Sequence, residues 1–207
     1  MEKWGARLVG GLRIHPHQGK GTLPTDLDAR PNPTHRGLLD QLPAKMRAFA
    51  ASLDPDVDGV LVLVDADDDD PELLRSELTA LAKHAGLSRA ACCVAIEETE
   101  AFYLGDLKAL KRAFPEADMK LARAYEPDSV IGTWEYFGQV INDGGENKVA
   151  WADAISPYLT TDPKVSRSPS FKEFVRQLVL LQHVPKGAPK VRKYRHPTKP
   201  RTPTRRR

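Results

Sequence analysis

A chain of 207 residues, 41% apolar and 29% charged, can build one domain with a substantial core and is short for two. No apolar run approaches the roughly 18–20 residues that cross a bilayer. The start, Met1-Glu2-Lys3-Trp4-Gly5, lacks the apolar stretch of a secretory signal, so a soluble cytoplasmic protein with no membrane partner is expected. The net charge of +3 hides a division: ten of the 31 Lys and Arg fall in residues 186–207, which hold no acid, leaving residues 1–185 at −7. An acidic body with a basic tail suits nucleic-acid association, or a merely solubilising extension.

In chain order, Leu8–Ile14 reads as a strand despite Gly10 and Gly11, and Gly21–Thr34 as a loop. Leu38, Leu39, Leu42, Met46, Phe49, Ala50 and Leu53 recur at helical spacing, with Pro43 tolerable in the first turn or at a kink. Val60–Val64 is an uninterrupted β-favouring run of the kind that a sheet buries on both faces, and it stops at Asp65. Asp70-Pro71-Glu72 then opens a helix, with Asp70 as cap, Pro71 at the first helical position and Glu72 at the positive end of the dipole. Gly86 sits where that helix should stop.

Ala90–Ile96 is a second buried strand, again ending in acids. Its adjacent cysteines, Cys92 and Cys93, would face opposite ways and read as small reduced core residues. Helical periodicity resumes over Ala101–Phe114; residues 118–162 read as helix and loop, and Phe171–Leu180 as a last amphipathic helix. The expected fold class is α/β: a central, largely parallel sheet flanked by helices, with a helical C-terminal part, over residues 1–184. A disordered basic tail follows at 185–207.

Ligands of open α/β sheets bind outside the carboxyl ends of the strands. Both strands here end in carboxylates, Asp65 to Asp70 after the first and Glu97, Glu98 and Glu100 after the second. If the extended geometry persists, Asp65 and Asp67 share a side. Carboxylates crowded in this way repel one another unless a cation neutralises them, and Mg²⁺ or Mn²⁺ suits an all-oxygen set. Asp69 and Asp70 are also explained as helix-capping residues, and Asp68 as a solvated neighbour. An Asp-x-Asp after a strand also occurs in haloacid-dehalogenase-type phosphatases, but Asp68 and Asp69 stand where those need a Thr or Val. Among the bases, His17 and Lys20 bracket Gly19 and could hold a backbone phosphate. Lys148 is a second basic contact or a solvated lysine. Trp134, Tyr136 and Phe137 read as core aromatics rather than a stacking platform.

Three segments together resemble the family called domain of unknown function 4276, which is similar to the topoisomerase–primase (Toprim) nuclease fold. They are His17-Gln18-Gly19-Lys20, Val62 to Asp67, and Glu98-Thr99-Glu100-Ala101-Phe102-Tyr103-Leu104-Gly105-Asp106; Ser168-Pro169-Ser170-Phe171 resembles that family's closing segment. The match runs from about residue 12 to 178. The resemblance implies a Toprim-like fold in which Asp65 and Asp67 hold Mg²⁺ for phosphodiester chemistry and Glu98 or Glu100 adds a carboxylate. It also implies a phage-defence setting beside an ABC- or AAA-type ATPase. The family usually begins with a Glu-bearing strand and a helix, whereas 16 residues precede His17 here. A truncated chain, or a member without the general base, is the corresponding expectation.

The functional expectation is a metal-dependent nuclease acting on nucleic acid, DNA above all. Asp65, Asp67, Glu98 and Lys20 would be catalytic, with Asp65, Asp67, Glu98 and Glu100 on the metal and His17, Lys20 and Lys148 on the nucleic acid. The alternative is a degenerate adaptor or sensor that docks on an ATPase; phosphatase chemistry on a small substrate is a third reading.

Overall fold

A computed structural model describes residues 11–96, 98–129, 132–144 and 147–183. Among them are two strands and eight helices. The two apolar runs form β1 (Val60–Asp65) and β2 (Ala90–Ala95), paired in parallel with Val60 opposite Ala90 and Asp65 opposite Ala95. The mixed α/β class therefore holds, with a sheet of two strands among the described residues. The strand expected over residues 8–14 is absent where the chain is described, at residues 11–14, and residues 8–10 lie outside the described set. Two adjacent glycines, Gly10 and Gly11, weaken that run as a strand, and Gly11 takes φ +102°. The basic tail also lies outside the described residues, from 184 onward.

Helices cover both faces of the sheet. On one face, α1 (Leu38–Ser52) and α2 (Pro71–His84) bring Leu39, Leu42, Met46, Leu74, Leu78 and Leu81 against Val62, Val64 and Val94. On the other, Phe171 and Val175 of α8 (Pro169–Gln182) pack with Leu63, Ala95 and Phe102. Pro43 lies inside α1, past its first turn, and the helix continues through it. The α2 caps follow the sequence expectation. Asp70 accepts the N–H groups of Glu72 (2.9 Å) and Leu73 (3.0 Å), and Gly86, at φ +84°, closes the end with Leu87 N–H on Ala82 O (3.0 Å).

Cys92 and Cys93 are both free thiols on opposite faces of β2, and burial raises them to about 11 and about 12.

After β2 the chain builds a second, helical core. The periodicity of residues 101–114 splits into α3 (Glu100–Gly105) and α4 (Leu107–Ala113) at Asp106. Buried Asp106 caps α4 through Ala109 N–H (3.0 Å) and accepts Thr160 N–H (3.1 Å). Then follow α5 (Met119–Ala124), α6 (Thr133–Ile141) and α7 (Lys148–Ile155). Leu104, Leu110, Tyr125, Phe137, Trp151 and Ile155 fill their shared interior. Among the described residues no helix is long and apolar enough to cross a membrane.

Candidate functional site: an acidic edge between two lysines

The carboxyl ends of β1 and β2, the start of α3 and the N-termini of α6 and α7 meet around Asp65, the last residue of β1. Its carboxyl is pushed up to about 6, first by burial, then by repulsion from Glu100, Asp67 and Glu98, with Lys148 partly offsetting them. Glu100, 4% exposed at the start of α3, is also raised, mainly by burial. The structure thus brings Asp67, Glu98 and Glu100 within electrostatic reach of Asp65, and Glu98 within reach of Glu100. Two of these acids, Asp65 and Glu100, form no ion pair within the described residues.

The other two carboxylates are engaged. Asp67 does not continue the strand. It takes φ +49° in a turn closed by Asp69 N–H on Ala66 O (3.0 Å), so the alternation that would align it with Asp65 ends there. Lys20 reaches Asp67 (3.3 Å) and Asp69 (2.7 Å) and donates to the Ala66 carbonyl as well. Asp69 is therefore a lysine partner, and Asp70 alone caps α2. Glu98 accepts the Trp134 backbone N–H at the start of α6 (2.8 Å) and pairs with Lys148 at 3.1 Å. The Lys148 ammonium also stands 4.7 Å from the centre of a Trp134 ring.

Local chain geometry explains how Lys20 arrives. The Gly19 and Lys20 carbonyls accept Leu38 N–H (3.0 Å) and Leu39 N–H (2.7 Å), so the His-Gln-Gly-Lys segment docks on the first turn of α1. Gly21, at φ +69°, lies so close to Gly37 that a Cβ there would come within 3.0 Å of the Gly37 Cα. His17 does not join the acids. It is half-buried, and its pKa is lowered by burial and then by Lys45, with a hydrogen bond to the Arg36 backbone partly offsetting them.

Two participants escaped the sequence reading. Tyr103 lies one helical turn beyond Glu100, and its phenol pKa is raised by burial, then by Glu100, Asp65 and Asp153. Its position in the Glu-Ala-aromatic stretch was the available signal. Trp134 is half-buried rather than fully interior and borders an open groove of about 460 Å³ with Trp151, Gln139 and Asp143. Phe137 is fully buried as expected, and Tyr136 packs partly buried beside it.

No three His, Cys, Asp or Glu side chains among the described residues are gathered tightly enough to form a metal cage. A hard ion such as Mg²⁺ asks for less, being held through one or two carboxylates and several waters. Among the described residues Asp65 and Glu100 have no ion-pair partner, so they are the carboxylates of this edge that such an ion would engage; Asp67 and Glu98 are held by lysines.

These features define an α/β protein with an acid-lined sheet edge flanked by two lysines. The chain belongs to the family described as Domain of unknown function (DUF4276), whose model matches residues 16–179. No curated protein and no solved structure matches it.

Proposed function

We propose that the acidic edge is a Toprim-like, Mg²⁺- or Mn²⁺-dependent phosphodiesterase site acting on nucleic acid, DNA in the first instance. The observation that carries this reading is the placement of Asp65, a half-buried carboxyl raised first by burial and then by three neighbouring acids, at the carboxyl end of a parallel strand. Asp65 and Glu100 would hold the ion, which supplies a Lewis acid and a water of lowered pKa when bound. Lys20 is 16% exposed at its side chain and stands at the rim, where an ammonium can steady a phosphate oxygen. Tyr103, kept protonated by burial and by the acids, can donate a hydrogen bond into the same space. The basic residues of 186–207 would add salt-sensitive, sequence-independent affinity.

Incubation with supercoiled plasmid and Mg²⁺, with D65A run alongside, tests the activity. Nicking by the wild type and none by D65A is expected. No nicking by either, or equal nicking by both, rejects the enzyme reading.

The second reading, an adaptor or sensor that docks on an ABC- or AAA-type ATPase in phage defence, is favoured by one observation. Asp67 and Glu98 are each neutralised by a lysine of this chain. A protein that copurifies with such an ATPase yet cuts nothing, with or without it, would support that reading.

A further inference from the structure

The groove beside Trp134 is lined by acids, amides and aromatics and, among the described residues, by no lysine or arginine. Trp134, Glu135 and Gln139 of α6, together with Asp143 and Trp151, border about 460 Å³. Glu135 is exposed, and no described base pairs with it. Asp143 accepts the Trp151 indole N–H through Oδ2 (2.7 Å). A Trp134 ring already carries one cation, the Lys148 ammonium at 4.7 Å, but that charge is taken up by Glu98 at 3.1 Å. Indole faces and carboxylates together attract an ammonium or a guanidinium and repel a phosphate.

The chain carries the complementary charge itself. Residues 186–207 hold ten Lys and Arg and no acid, against −7 for residues 1–185. The end of α8 lies beside the start of β2, where Arg89 donates to Leu181 O (2.6 Å) and His183 O (3.2 Å). Residues 184–207, 24 in number, reach about 80 Å when extended, and a domain of this size is roughly 40 Å across, so the groove is within range. A tethered segment meets such a groove at an effective concentration of about millimolar order, so a cation–π contact and one or two exposed ion pairs are enough to hold it. We infer that the groove between α6 and α7 is the docking site of the chain's own basic C-terminal segment, a Lys or Arg of residues 186–207 entering beside Trp134 and pairing with Glu135 and Asp143. The docked segment lies next to the acidic edge, because Trp134 also donates its backbone N–H to Glu98 (2.8 Å). Nucleic acid draws on the same bases, so its binding empties the groove. None of this depends on a metal at the edge.

The test is the indole N–H magnetic resonance spectrum of the full chain, in which Trp4, Trp134 and Trp151 give one signal each and W4F and W134F assign them. A full-length variant with the ten Lys and Arg of residues 186–207 replaced by Gln is the undocked reference. At low salt the Trp134 and Trp151 signals of the wild type should differ from that reference, and the difference should close as salt rises. E135Q, at an exposed position, should lower the docked fraction about two- to fivefold, the loss expected of one exposed ion pair. Wild-type signals that match the reference at low salt overturn the inference, as does an E135Q chain that responds like the wild type. A difference that grows with protein concentration assigns the contact to a second copy and overturns docking of the chain's own segment.

Discussion

Gly105 and Ser168 meet so closely that no side chain fits between them. A Cβ on Gly105 would stand 3.1 Å from both the Cβ and the backbone N of Ser168, and 2.8 Å from the Ser166 hydroxyl. The Gly105 carbonyl accepts Arg167 N–H in the same contact (2.9 Å). The glycine of the Leu-Gly-Asp stretch and the Ser-Pro-Ser segment are thus two halves of one joint that fixes α3, and with it Glu100, against α8. Gly105→Ala should destabilise the fold by about 1–3 kcal/mol through overpacking. A lowered urea midpoint checks this, and an unchanged midpoint would mean that the joint yields freely.

Asp128 secures the same joint from the other side. At φ +66° it accepts the Ser170 N–H (2.6 Å), the Ser170 hydroxyl (3.0 Å) and the Ser168 hydroxyl (3.1 Å) at the start of α8. Asp128→Ala leaves these donors without their carboxylate and should cost about 1–3 kcal/mol. Equilibrium unfolding measures the loss, and Asp128→Asn should recover part of it.

The acid at the strand end should make stability fall as pH rises. Asp65 is raised from the model-compound value of 3.8 to about 6, so the folded state holds its proton more tightly than the unfolded chain does. That contribution is fully present below the unfolded pKa and is lost as pH climbs through about 6. Asp65→Asn should flatten the stability profile between these values and raise the melting temperature near pH 7.5. With solvent reaching the site, the gain should be about 1–2 kcal/mol. Parallel melting curves across pH, wild type against variant, decide it; identical slopes would show that neither burial nor the neighbouring acids raise Asp65 in the folded state.

Cys92 and Cys93 should resist thiol reagents in the native protein at pH 8, since burial holds them at about 11 and about 12. Labelling with a disulfide reagent before and after denaturation checks this, and rapid labelling of the folded chain would contradict it.

Much of the α/β part was legible in the sequence because its signals are local. The Val60–Val64 run, the Asp70-Pro71 cap and Gly86 each act within a few residues, and each has the expected place. What was not legible is what the fold brings together from afar. Lys148 is 50 residues from Glu98, and Asp128 is 40 from Ser168; neither pairing leaves a trace in spacing or periodicity. The Asp65–Asp67 alignment failed for a local reason, the left-handed turn at Asp67, because four successive acids give no sign of where an extended chain bends.

Diffraction from a crystal soaked in Mn²⁺, read by its anomalous signal, tests the central claim most directly. The account predicts a peak in contact with the carboxylates of Asp65 and Glu100. A well-ordered soaked crystal with no peak there, or with manganese bound only elsewhere, would contradict it.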